Sequence, residues 1–242
     1  MNRQAIGFKE SAVPQEIGYS ARAILLDIEG TIAPISFVHE VLFPYARQRM
    51  TDYLRQHWSV PPVSAARLML DANSREFSEL ALASLTETIN RLMDADVKNT
   101  GLKQLQGLIW EEGYAAGAFV SPVYPDVAPA LRRWKAQGKT IAIYSSGSVA
   151  AQKVFVRHTN SGDLIPLLSA FFDTKTGPKR SPASYTAIAL DLKIAPSEIL
   201  FISDVLLEVQ AAALAGMHGV IAARPGNASV ETDEFRVINT FA

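Results

Sequence analysis

No cysteine occurs in the 242 residues. Disulfides, thiolate metal sites and cysteine nucleophiles are therefore excluded, and the composition suits a reducing compartment. Neither sign of charge dominates: 23 Lys and Arg stand against 24 Asp and Glu, a formal net charge of −1. With no basic run either, the electrostatic footprint of a nucleic-acid or anionic-membrane binder is missing, and a small-molecule ligand is the better expectation. No apolar run approaches the roughly 18 residues of a membrane span. The opening MNRQAIGFKESAVPQEIGYS lacks the apolar centre of a signal peptide and reads as a loose leader without identifiable chemistry. A cytoplasmic, monomeric protein is the resulting expectation. The four histidines, at 39, 57, 158 and 218, are scattered and form no metal-ligand spacing.

What the chain does have is apolar material, 48% of its residues, enough for a sizeable core. Short apolar runs bounded by turn signals recur at AILLDI (23 to 28), TIAIYS (140 to 145), AFFDT (170 to 174), ILFISD (199 to 204) and GVIAA (219 to 223). They read as buried strands. Helical patterns separate the later ones, over 126 to 137, 148 to 158, 181 to 192 and 206 to 216. Alternation of this kind, with strands apolar throughout, predicts an α/β fold whose parallel sheet is covered on both faces. From 36 to 122 the rhythm changes to helical spacing without strand-like runs, with Pro34 before it, Pro61 and Pro62 within it, and SPVYP after it. The expected organisation is an α/β domain from residues 1–35 and 123–242 carrying a helical insertion at 36–122.

In an open parallel sheet the usable crevice lies beyond the carboxyl ends of the strands. Asp27 and Glu29 follow the first strand, Ser145 and Ser146 the second, and Ser203 and Asp204 the fourth. Carboxylates converging without a counter-charge repel one another, so the arrangement calls for a cation, and oxygen-only ligands suit Mg²⁺. The hydroxyls and backbone N–H groups of SSGS, leading into the helix from 148, suit phosphate oxygens. Lys179 adds a positive charge. Each signal alone has a plainer explanation: D-x-E as a surface turn, SSGS as a turn and N-cap, Lys179 as a solvated lysine, Asp204 and Glu208 as a cap and an exposed helix position. Their succession at consecutive strand ends favours the functional reading.

These motifs resemble the haloacid dehalogenase superfamily of phosphohydrolases and, within it, the methionine-salvage enolase-phosphatase family. DIEGT (27 to 31) is similar to the superfamily's D-x-D-G-T, with Glu29 in the place of the second aspartate, as in the narrower family. PISFVHEVLFPYA, LQGLIWEEGY, IYSSGSVAAQK, FFDTKTGPKRSPASY, ILFISD and ARPGN extend the resemblance over nearly the whole chain, while Ile32 and Ala33 depart from it. The resemblance implies a Rossmann-like core with an inserted helical cap that closes over the crevice and reads the leaving group. It implies Asp27 as a nucleophile giving an aspartyl-phosphate, Glu29 as acid/base partner, and Lys179 as the lysine offsetting the phosphoryl charge. Ser145 and Ser146, with Lys179, would bind substrate, and Asp27, Glu29 and Asp204 would hold Mg²⁺. Glu208 takes the approximate place of a second acid in the last motif. The implied substrate is the phosphorylated diketone 2,3-diketo-5-methylthiopentyl 1-phosphate, enolised and then dephosphorylated to the acireductone. Two other readings stand beside this: a phosphatase of another small metabolite on the same fold, and a non-enzymatic receiver-like Mg²⁺-binding module. The large insertion argues against the receiver, which needs an open face.

Overall fold

The computed structural model describes residues 20–71, 74–95, 97 and 99–242, so the expected leader lies, except for Ser20, outside the described residues. The strands are β1 (Ala23–Leu26), β2 (Thr140–Tyr144), β3 (Ala170–Phe172), β4 (Ile199–Ser203), β5 (His218–Ala222) and β6 (Arg236–Ile238). All pair in parallel, in the order β3-β2-β1-β4-β5-β6. β1 is central, with Leu26 level with Ile143 on one side and Ile202 on the other. The chain leaves β1 toward β2 and later returns to its opposite edge through β4, so the strand order reverses direction at β1 and a crevice opens beyond its carboxyl end.

Nine α-helical segments are described: α1 (Ile35–Phe37), α2 (Phe43–His57), α3 (Pro61–Leu70), α4 (Glu79–Asp94), α5 (Thr100–Ala115), α6 (Val127–Ala136), α7 (Val149–Arg157), α8 (Pro182–Leu192) and α9 (Leu206–Leu214). A π-helical turn, Val38–Leu42, joins α1 to α2. Helix starts follow local chemistry. Pro61 and Pro62 open α3, and Ser78, Asn99 and Ser148 accept backbone N–H groups at the starts of α4, α5 and α7. Among the described residues no helix is long and apolar enough to cross a membrane.

The strands are buried on both faces because helices cover both. Ile24, Leu26, Ile143 and Ile202 pack with Leu131, Trp134 and Val156 on one side. Leu25, Ala142, Tyr144 and Phe201 pack with Tyr185, Ile188 and Val209 on the other. A third cluster, from Ala46 in α2 through Val63, Leu82 and Leu85 to Ile109 in α5, belongs to the helices between β1 and β2. Phe37, Leu42 and Tyr114, though within residues 36–122, join the sheet's cluster. One strand, β6, has no counterpart among the apolar runs of the sequence. It is three residues long with Arg236 and Val237 exposed, and its place at the sheet edge demands little apolar character.

Candidate active site

Asp27 continues β1 by one residue, its N–H bonded to Ile202 O at 3.0 Å. Its carboxylate is 3% exposed, accepts the N–H of Ile28 at 2.8 Å, and meets Lys179 Nζ at 2.7 Å. The same ammonium lies 2.6 Å from Glu208 Oε2. Ser203, at the end of β4, sets its Oγ 3.1 Å from Asp27 Oδ2 and 3.1 Å from Glu208 Oε2. One hydroxyl proton serves only one of them at a time. Glu208 is thus neither exposed nor a mere helix-surface acid: it is 8% exposed and completes the Lys179 pair.

Lys179 is held by its backbone. Tyr185 Oη donates to Lys179 O at 2.6 Å and Tyr144 Oη to Gly177 O at 2.9 Å. Gly177, at φ 147°, backs onto the Ser184 side chain so closely that a Cβ there would collide with it. A buried ammonium would ordinarily lose its proton more easily, but the charges of Asp27 and Glu208 outweigh burial and raise its pKa.

Glu29 points another way. Ser145 Oγ, at the end of β2, donates to Glu29 Oε2 at 3.1 Å and accepts from the N–H of Gly147 at 3.2 Å. Burial raises the pKa of Glu29 and the charge of Asp27 adds to it; Lys179 and Ser145 only partly offset the rise. The Ser146 carbonyl accepts from Lys103 Nζ of α5 at 3.3 Å. Gln152, in α7, ties SSGS to the sheet, donating to Gly147 O and Phe172 O at 2.8 Å each.

Asp204 approaches the backbone of the D-x-E loop itself. Gly30 has φ 72°, and a Cβ there would run into the Asp204 carboxylate. Only glycine permits this approach. Thr31 Oγ1 accepts the Asp204 N–H at 3.1 Å. Burial, reinforced by the charge of Asp27, pushes the Asp204 carboxyl up to about 7.

Residues from the far end of the chain brace the same loop. Arg224 donates to Thr31 O at 2.9 Å, pairs with Asp126 at 2.8 Å and bonds Asn239 O at 2.9 Å. Its guanidinium lies 4.7 Å from the Tyr124 ring centroid and 4.3 Å from that of Phe241. Asn227 donates to Gly30 O at 2.8 Å.

Asp27, Glu29, Ser145, Ser146, Lys179 and Asp204 therefore come to one edge of the sheet, around the end of β1. The sequence gives no role to Thr31, Arg224 or Asn227, places Ser203 only as an oxygen at a strand end, and marks Glu208 weakly. Four carboxylates, of Asp27, Glu29, Asp204 and Glu208, share the region with the ammonium of Lys179. Such a donor set fits a cation. Among the described residues no three His, Cys, Asp or Glu side chains form a metal cage. The oxygen donors suit Mg²⁺, which commonly takes one or two carboxylates and leaves its other positions to water and substrate phosphate.

The chain matches the family model of haloacid dehalogenase-like hydrolases over residues 21–216. An enolase-phosphatase E1 of Synechococcus elongatus is 46% identical over 233 residues, covering 92% of this chain and 97% of the relative. One of Acidiphilium cryptum is 48% identical over 88% of this chain and 89% of the relative. Among solved structures, the UTR4 protein of Saccharomyces cerevisiae superposes with a TM-score of 0.76 at 37% identity, covering 91% of this chain and 98% of its own. CbbY of Rhodobacter sphaeroides, at TM-score 0.59 and 16% identity, shares the fold. The chain thus belongs to the haloacid dehalogenase-like hydrolases and, among them, to the enolase-phosphatase E1 family.

Proposed function

We propose that the crevice at the end of β1 enolises and then dephosphorylates 2,3-diketo-5-methylthiopentyl 1-phosphate, releasing phosphate and the acireductone of methionine salvage. The observation that carries the reading is the division of labour within DIEGT. Asp27 is fixed on Lys179 at 2.7 Å, whereas Glu29 faces Ser145 with its pKa raised by burial. Two carboxyls held in different environments suit a nucleophile and a proton carrier.

In this reading Glu29 takes the C1 proton, and the carbonyl beside C1 becomes an enolate. Asp27 then attacks phosphorus in line, forming an aspartyl-phosphate as the ester oxygen leaves. Enolisation precedes phosphoryl transfer because it replaces an alkoxide leaving group with a more stable enolate. Glu29 returns its proton to the departing oxygen and afterwards accepts one from the water that hydrolyses the aspartyl-phosphate. Lys179 offsets the charge on Asp27 and the phosphoryl oxygens, and Ser145 and Ser146 bind those oxygens. Mg²⁺, held by Asp27, Asp204 and the backbone carbonyl of Glu29, would supply charge neutralisation at the transferring group. Residues 36–122 act as the cap over this crevice.

Phosphate release from a panel of phosphomonoesters, with Mg²⁺ and with EDTA, tests the proposal. The diketone phosphate should be the preferred substrate and EDTA should abolish turnover. Full activity in EDTA, or a preference for another ester, would overturn it.

A further inference from the structure

The face of α5 turned toward the sheet carries chemistry that this mechanism leaves unassigned. Lys103, Gly107, Trp110 and Tyr114 recur at the i, i+4, i+7, i+11 spacing of one helix face. The Lys103 end of this stripe touches the other side of the crevice, and the Tyr114 end is anchored away from it. Lys103 Nζ reaches Ser146 O at 3.3 Å, while Tyr114 bonds Ser121 Oγ and stacks on His158 at 5.1 Å. The helix also packs on α7, which follows SSGS. Gly107 lies between these contacts, and a Cβ built on it would meet no atom within 4 Å. Glycine is unfavourable inside a helix, and no neighbouring group requires it here. Beyond it, Trp110 is fixed by a 2.8 Å hydrogen bond to Leu42 O and by stacking on Phe43.

We infer that Lys103 and Gly107 read the leaving group of the substrate. The Lys103 ammonium hydrogen-bonds a carbonyl oxygen of the diketone and holds the charge that gathers there, and the gap at Gly107 admits the carbon chain behind it, against Trp110. The inference rests on the enolase-phosphatase reading and names the groups that recognise its substrate. In the enolisation step the C1–H bond breaks and its proton passes to Glu29. The electron pair left behind forms the carbon–carbon double bond, and the carbonyl π pair becomes a lone pair on the oxygen facing Lys103. Proximity supports the assignment: Ser146, which Lys103 touches, adjoins Ser145, which bonds Glu29 at 3.1 Å. An ammonium passing from the Ser146 carbonyl to substrate stays beside the base.

The test compares wild type, Lys103→Met, Lys103→Arg and Gly107→Leu on the diketone phosphate and on acetyl phosphate, which requires no enolisation. Exchange of the C1 proton with deuterated solvent is followed alongside phosphate release. Lys103→Met should slow exchange and lower the ratio of kcat/KM between the two substrates at least about tenfold, the usual scale for losing a charged hydrogen bond. Lys103→Arg should restore part of it. Gly107→Leu should raise KM for the diketone phosphate more than it lowers kcat. Its melting temperature should not fall, because leucine favours the helix. A lower melting temperature would show that no gap exists there. Losses in equal proportion on both substrates, or a ratio within about twofold of wild type, would overturn the inference while leaving the enolase-phosphatase reading standing. Wild type that hydrolyses acetyl phosphate but neither exchanges nor cleaves the diketone phosphate would overturn that reading, and this inference with it.

Discussion

In Asp204→Asn a carboxylate in the crevice is exchanged for a neutral group of the same shape, and the metal-free protein should become more stable above neutral pH, not less. The carboxyl sits at about 7 in the folded chain against an ordinary 3.8. Between those values the folded state keeps a proton that the unfolded state has released. Wild-type stability therefore falls as pH rises across that window and is level above it, and the asparagine variant escapes the fall. A shift of this size has a ceiling of about 4 kcal/mol. Asp204 is partly exposed, and solvent screening brings the expected difference nearer about 1–2 kcal/mol. For a chain of this length that is a melting temperature higher by about 3–6 °C at about pH 8, with little difference at about pH 4. Scanning calorimetry in EDTA reads it directly. With Mg²⁺ added the ranking should invert, since saturating a site about a hundredfold over its Kd stabilises wild type by about 2.7 kcal/mol and the variant by much less. A variant less stable than wild type in EDTA at the higher pH, or one stabilised by Mg²⁺ as strongly as wild type, would refute the reasoning.

Asp27→Asn should abolish phosphate release yet leave exchange of the C1 proton with deuterated solvent, whereas Glu29→Gln should suppress both. Wild-type exchange in Glu29→Gln, followed by NMR, would place the base elsewhere. Gly30→Ala should cost about 1–3 kcal/mol for a side chain at φ 72°, and should weaken Mg²⁺ affinity in a titration because Asp204 is displaced. Lys179→Met leaves Asp27 and Glu208 facing each other without their shared ammonium. A loss of about 3–5 kcal/mol in urea denaturation near neutral pH is expected, with part of it recovered by adding Glu208→Gln.

Strands with dense apolar runs were legible from sequence: AILLDI contains β1, TIAIYS contains β2, and ILFISD contains β4, because burial on both faces forces apolar residues at every position. β6 escaped for the opposite reason, as an edge strand with two exposed residues. In the site, Asp27, Glu29, Ser145 and Asp204 come soon after strand ends, where topology alone dictates direction. Glu208 was harder, because i,i+4 spacing after Asp204 looks the same whether a helix position faces solvent or a lysine. Arg224 and Asn227 were harder still. Their partners, Thr31 and Gly30, lie 193 and 197 residues away, and no local pattern reports a contact of that range. The pair Glu111 and Glu112 is exposed, as adjacent acids on a helix commonly are.

The brace from Arg224 and Asn227 to the loop after β1 has a consequence for biosynthesis. Asp27 is among the first folded residues to leave the ribosome, but Arg224 and Asn227 follow their partners Thr31 and Gly30 by 193 and 197 residues. Arg224 is itself locked by Asp126, which also accepts the Phe241 N–H at 2.6 Å. A nascent chain carrying β1 through β4 already holds Asp27, Lys179 and Asp204, yet its D-x-E loop lacks the bonds from Arg224 and Asn227. The complete set of bonds to this loop is thereby deferred until Arg224 and Asn227 have been made.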